Sequence, residues 1–146
     1  MLDSINSKIL IALQENARIS FAKLGERVHL SAPAVAERVR KMEAAGIITG
    51  YGVRVDLDKL GYPIVALVQC KVFGAKEKAL KQLLLERDEV VECYNVTGEQ
   101  AFIVKLAVKS LALLDEVLEE ICAVSDTNTM VVLKEPVHRV LPGDFG

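Results

Sequence analysis

Residues 30–48, "LSAPAVAERVRKMEAAGII", decide how the first part of the chain folds. At about 100° per residue, Val35, Val39 and Met42 fall within about 60° of one another and form the inward stripe of a helix. Ser31 offers an N-cap oxygen, Pro33 sits in the first turn where its missing N–H costs little, and Gly46 stops the helix after Ala45. The opposite face carries Ala34, Glu37, Arg40, Lys41 and Ala44, with Arg38 on the flank. Small residues thus open that face and basic ones close it. A helix entering a DNA groove uses its N-terminal residues on base edges and Arg or Lys on phosphates. A solvated helix also gathers basic residues near its C-terminus because of its dipole, so spacing alone leaves both readings open.

Upstream, Ile5, Ile9, Leu10 and Leu13 keep a helical period from Asp3, an N-cap, to Gln14. A second helix, "FAKLGERV", follows Ser20, with Phe21, Leu24 and Val28 on one side. The short turn "HL" then joins two helices in a helix-turn-helix pattern. Downstream, "IITGYGVRVDL" alternates at Ile48, Val53 and Val55 as a strand or β-ribbon, and "DLDKLGYP" reads as a linker. Beyond it the order is βαββαβ: "IVALVQCKVF", "AKEKALKQLLLER", "VVECYNVT", "AFIVKLAV", "SLALLDEVLEEICA" and "TNTMVVLKEPV". The helices offer apolar faces at Leu80, Leu83 and Leu84, and at Leu111, Leu114, Val117, Leu118 and Ile121.

The fold class is therefore α+β: a helix-turn-helix, winged-helix-like domain (1–50), a strand and linker (51–62), and a ferredoxin-like domain (63–146). Helices cover one face of the four-stranded antiparallel sheet. A second copy of the chain is the economical cover for the other.

Charge supports two units with different partners. Residues 1–60 carry nine Lys/Arg against seven Asp/Glu, and residues 61–146 carry nine against thirteen. With 51% hydrophobic and 26% charged residues, the chain reads as a globular protein rather than a disordered one. No apolar run reaches the roughly 18–20 residues of a membrane span, and "MLDSINSKIL" turns acidic and polar too early to read as a signal peptide; a cytoplasmic location is expected. Cys70, Cys93 and Cys122 form no CxxC pair and read as reduced core thiols. No metal or other cofactor is expected. The two histidines, His29 in the turn and His138 in the tail, join no catalytic set, and no phosphate-binding glycine loop appears, so an enzyme is disfavoured.

The run from "ILIALQENARIS" through "LSAPAVAERVRKMEAAGIITGY" to "DKLGYP", with "NVTGEQAFIVKLAV" and "TNTMVVL", resembles the Lrp/AsnC family of leucine-responsive, feast/famine transcription regulators over nearly the whole chain. The resemblance implies sequence-specific binding of double-stranded DNA by the helix-turn-helix, with Ser31, Ala34, Glu37, Arg38 and Lys41 on or beside the recognition surface. Arg18 matches a basic family position that suits either a phosphate contact or a structural ion pair. It further implies a C-terminal domain that dimerises, builds octamers from four dimers, and binds a free amino acid between dimers. The effector positions are Thr97, Gly98, Glu99, Gln100 and Ala101 in the turn, and Thr127 and Thr129 in the last strand. Where many members carry Gly-x-x-Asp, this chain has Gly98-Glu99-Gln100-Ala101, and Ala101 cannot pair with an ammonium group. An architectural, DNA-wrapping protein without an effector is the alternative.

Overall fold

In the computed structural model, which describes residues 2–143, the chain forms two units: residues 2–54 together with 137–143, and residues 55–136. The first unit is helical. Helix α1 (Ser4–Glu15) starts where Asp3 Oδ1 accepts the Asn6 N–H at 2.7 Å. Helix α2 (Phe21–Val28) starts at Ser20, whose Oγ accepts from Lys23 at 3.2 Å, and α3 (Ala32–Ala44) at Ser31, whose Oγ accepts from Ala34 at 3.3 Å. Each cap satisfies an amide that a helix start leaves unpaired. Helix α3 ends at Gly46, whose left-handed φ of 69° lets the Ile47 N–H turn back to the Met42 carbonyl. Ile9, Leu24, Val28, Val35, Val39 and Met42 form the core between the helices.

The turn from α2 to α3 depends on close backbone approach. His29 takes a left-handed φ of 58°, and the Leu30 N–H donates to the Gly25 carbonyl at 2.9 Å. A Cβ on Gly25 would land on the Leu30 carbonyl oxygen. Glycine inside a helix costs about 1 kcal/mol relative to alanine; here it lets the two helices meet.

Several expectations change. Residues 47–56 are not a strand in this chain, although Ile48 packs on the helical core. Alternation marks two faces, but a strand also needs a ladder partner for its N–H and C=O groups, and none lies within the described residues. In the tail, the Val140 and Leu141 N–H groups donate to Gln14 Oε1 at 2.8 and 2.7 Å, so residues 137–143 lie with the helical unit. Of the cysteines, Cys70 alone is buried, and burial pushes its thiol up to about 11. Cys93 lies on an edge strand and Cys122 at a helix end, where neither is enclosed.

The second unit runs β1 (Ile64–Lys71), α4 (Lys76–Glu86), β2 (Val90–Asn95), β3 (Phe102–Val108), α5 (Leu111–Cys122), β4 (Asp126–Val131). Its sheet is antiparallel in the order β2-β3-β1-β4, with Val68 opposite Val104 and Thr129. Ala66, Val68, Cys70, Phe102, Val104 and Leu106 point to one face and pack under Leu80, Leu84, Leu114, Val117 and Ile121. Leu111, at the first turn of α5, is exposed instead. The other face presents Leu67 and Ile103 half-buried, with Tyr94 and Met130 exposed and no helix over them. No helix among the described residues is long and apolar enough to cross a membrane.

Candidate DNA interface and effector surface

Helix α3 separates its faces as its sequence period requires. Val35, Val39 and Met42 are buried, Ala34 is half-buried, and Ser31, Glu37, Arg40 and Lys41 are exposed. The exposed charges are organised around Glu37. Its carboxylate accepts two hydrogen bonds from Arg40, at 2.8 and 2.9 Å, and lies 3.6 Å from Lys41 Nζ. The Arg40 hydrogen bonds pull the Glu37 carboxyl down to about 2, from an ordinary 4.5. It therefore stays ionised at every pH at which duplex DNA is handled, and these pairs are lost only as pH falls through about 2.

Arg38 does not share that surface. Its guanidinium donates to Asp3 Oδ2 at 2.6 Å and to Asn6 Oδ1 at 2.9 Å, both at the start of α1. Arg18 is exposed beyond α1 and has no carboxylate partner among the described residues. Its main-chain N–H donates to Asn16 Oδ1 at 3.0 Å. It lines a groove of about 690 Å³, shared with Leu13, Tyr51, Arg54 and Val140. Tyr51 closes the C-terminal end of α3 by donating to Glu43 at 2.7 Å. Gly25, through its close approach to Leu30, and Asp3 and Asn6, through Arg38, touch the surroundings of α3, and sequence reading gave them no such role.

Glu37 restrains the positive face, so Glu37→Gln should free Arg40 and Lys41. Affinity for a random duplex is expected to rise about three- to ten-fold at low salt, and its salt dependence to steepen toward one more phosphate contact. Fluorescence anisotropy titrations at several salt concentrations measure both. An unchanged affinity and slope would take this face away from DNA.

In the second unit the expected effector residues lie toward one end of the sheet. The hairpin loop between β2 and β3 is closed by Val96 N–H donating to the Ala101 carbonyl at 2.8 Å, and Gly98 holds a φ of 100°. Thr97, Gly98 and Glu99 are exposed, while Gln100 and Ala101 are half-buried, Ala101 against the core. Glu99 lies 3.6 Å from Lys71 Nζ, at the end of β1. Thr127 and Thr129 share a sheet face, opposite Cys70 and Val68, and the Thr127 hydroxyl is 3.1 Å from Cys122 Sγ. Beside them a cavity of about 90 Å³ is lined by Lys71, Phe73, Lys76, Ser125 and Asp126. Lys71 and Asp126 are the residues here that sequence reading missed; a lysine and an aspartate at strand ends carry no local signal of a site. Among the described residues no cluster of His, Cys, Asp or Glu is placed to hold a metal ion.

Comparison with known proteins agrees with this architecture. A model described as the AsnC-type helix-turn-helix domain matches residues 2–43, and one described as the Lrp/AsnC ligand binding domain matches residues 65–142. The HTH-type transcriptional regulator LrpC of Bacillus subtilis is 31% identical over 134 residues, covering 92% of this chain and 93% of the relative. Regulatory protein AsnC of Escherichia coli is 33% identical over 146 residues, covering 97% and 96%. A transcriptional regulator from Neisseria meningitidis, solved as its L-Met complex, superposes with a TM-score of 0.90 at 26% identity, covering 97% of each chain. These relatives are regulators rather than enzymes, and with both domain models matched in order along the chain, this protein belongs to the Lrp/AsnC family of DNA-binding transcriptional regulators.

Proposed function

We propose that the protein binds operator DNA in the cytoplasm as a dimer or an octamer of four dimers, and that a free amino acid bound in the C-terminal domain tunes that binding. On the DNA side, Ser31 and Ala34 sit where a helix reaches base edges, with Glu37, Arg40 and Lys41 behind them; Arg18, exposed and without a carboxylate partner among the described residues, suits a phosphate. On the assembly side, the sheet face with Leu67, Ile103, Tyr94 and Met130 suits a second copy.

The observation that carries the effector reading is the convergence of the Thr97–Ala101 loop, Lys71 and Thr127 at one end of the sheet. The cavity there holds about 90 Å³, while small-molecule sites run to roughly 300 Å³ and more; a neighbouring copy laid against it would complete the site. The Lys71–Glu99 pair presents both charges that a zwitterion needs. An α-carboxylate takes Lys71 or the loop amides, and the released Glu99 takes the ammonium that Ala101 cannot. The L-Met complex of the Neisseria relative supports an amino acid as the ligand class. A second reading, an architectural DNA-wrapping protein without effector, is favoured by Ala101 and by Glu99 being already engaged with Lys71.

Calorimetry against the twenty amino acids, followed by footprinting with and without any that bind, separates the two. Glu99→Ala is expected to weaken binding roughly 10- to 150-fold, the loss of a charge-assisted hydrogen bond. Tight binding untouched by that change would move the ammonium contact elsewhere, Asp126 being next. No heat from any amino acid would leave the architectural reading standing.

A further inference from the structure

Arg40 and Lys41 pair within α3, but Arg38 reaches a different helix. Its Nη1 lies 2.6 Å from Asp3 Oδ2 and 2.9 Å from Asn6 Oδ1. The other oxygen of Asp3, Oδ1, caps α1 by accepting the Asn6 N–H at 2.7 Å, so one carboxylate joins the start of α1 to the middle of α3. The Arg38 side chain is also less exposed, at 30%, than those of Arg40 and Lys41, at 65% and 69%.

We infer that Arg38 is a positioning residue for DNA recognition: held by Asp3 and Asn6, it sets the roll of α3 against α1 and does not itself neutralise a phosphate. The inference rests on α3 being the helix that enters the groove. Apolar burial of Val35, Val39 and Met42 holds α3 to the core, but that attraction is non-directional. A short, charge-assisted hydrogen bond shared between two acceptors is directional. Side-chain tips stand about 5–6 Å from a helix axis, so a roll of 10–20° moves them by about 1–2 Å, enough to break base-edge hydrogen bonds. Turning Arg38 to a phosphate would also strip Asp3 of its partner and leave a carboxylate near the DNA. An ion pair this exposed adds little to stability, so its signature belongs in recognition rather than in melting.

The test uses full-length protein, a duplex selected from a random pool by the wild type, and a random duplex of equal length. The variants are Arg38→Gln, Asp3→Asn and the double, which restores the wild-type net charge. Measured well below each variant's Tm, both single changes are expected to lower affinity for the selected duplex about ten-fold, and the double no further, because all three cut the same link. Affinity for the random duplex should move little, and the salt slope should stay within half a phosphate of the wild type. A direct phosphate contact predicts the opposite pattern: Arg38→Gln flattens the slope by about one on both duplexes, while Asp3→Asn frees Arg38 and tightens binding. That pattern, or selected-duplex affinities equal to wild type with only Tm lowered, overturns the inference. Lys41→Ala and Ala34→Arg serve as separate probes of α3. If neither changes binding to either duplex, the helix itself is misassigned, and the positioning role falls with it.

Discussion

Gly25→Ala is expected to destabilise the helical unit by about 3 kcal/mol, the upper end for overpacked sites, and to abolish DNA binding near the altered melting temperature. The new Cβ meets the Leu30 carbonyl oxygen, a backbone atom that cannot rotate away. Relief requires α2 and α3 to separate at the turn, which breaks the Leu30 N–H bond to the Gly25 carbonyl and loosens Leu24, Val28 and Val35 from the core. For a unit this small, each kcal/mol shifts Tm by about 4–8 °C, so calorimetry should show the helical transition moving down by more than about 10 °C. Gly50→Ala is the control, because a Cβ there meets open space; it should be neutral or slightly stabilising, by about 0.4–1 kcal/mol. Equal transitions for the two variants would mean that the turn tolerates a side chain, and that the close approach is unimportant.

In the proposed dimer, Leu67→Asp should separate the protomers and cost about 10²- to 10⁴-fold in affinity for a two-site operator. Leu67 stands on the face of β1 that no helix covers, opposite Met130 on β4 and Lys105 on β3. A carboxylate there leaves the fold of the unit intact, because it points away from the core of Val68 and Leu106, but it must be desolvated if two sheets meet. Two linked recognition helices bind as one bivalent ligand, and separating them removes that gain while each half-site contact survives. Light scattering gives the mass, and titration against one and two half-sites gives the affinities. A variant that keeps the wild-type mass would move the interface off this sheet face.

Local chemistry made most of the architecture legible. Caps at Asp3, Ser20 and Ser31, the stop at Gly46, and the βαββαβ order depend on residues within three or four positions of one another, and each formed where expected. Gly25 was not read from sequence, because the Leu30 carbonyl that a Cβ would meet is brought there by the turn. The segment 47–56 shows the limit of periodicity. Alternation is present, yet 47–56 pairs with no other strand among the described residues of this chain, because pairing is a property of two segments rather than one.

By itself, then, the sequence determined the helices and the strands of the βαββαβ unit, though not the state of 47–56, together with the apolar face of α3 and the family, because these rest on short-range spacing and on a pattern that spans the chain. Only the tertiary structure decided where the charges and polar groups go. Arg38 is held by Asp3, 35 residues away, Glu99 is met by Lys71 across the sheet end, and Gln14 holds the main chain of Val140, 126 residues downstream. A capping serine finds its amide within its own turn, whereas a long charged side chain takes whichever partner packing brings within about 3–4 Å. That distance is set by how helices and strands stack, and no spacing along the chain encodes it.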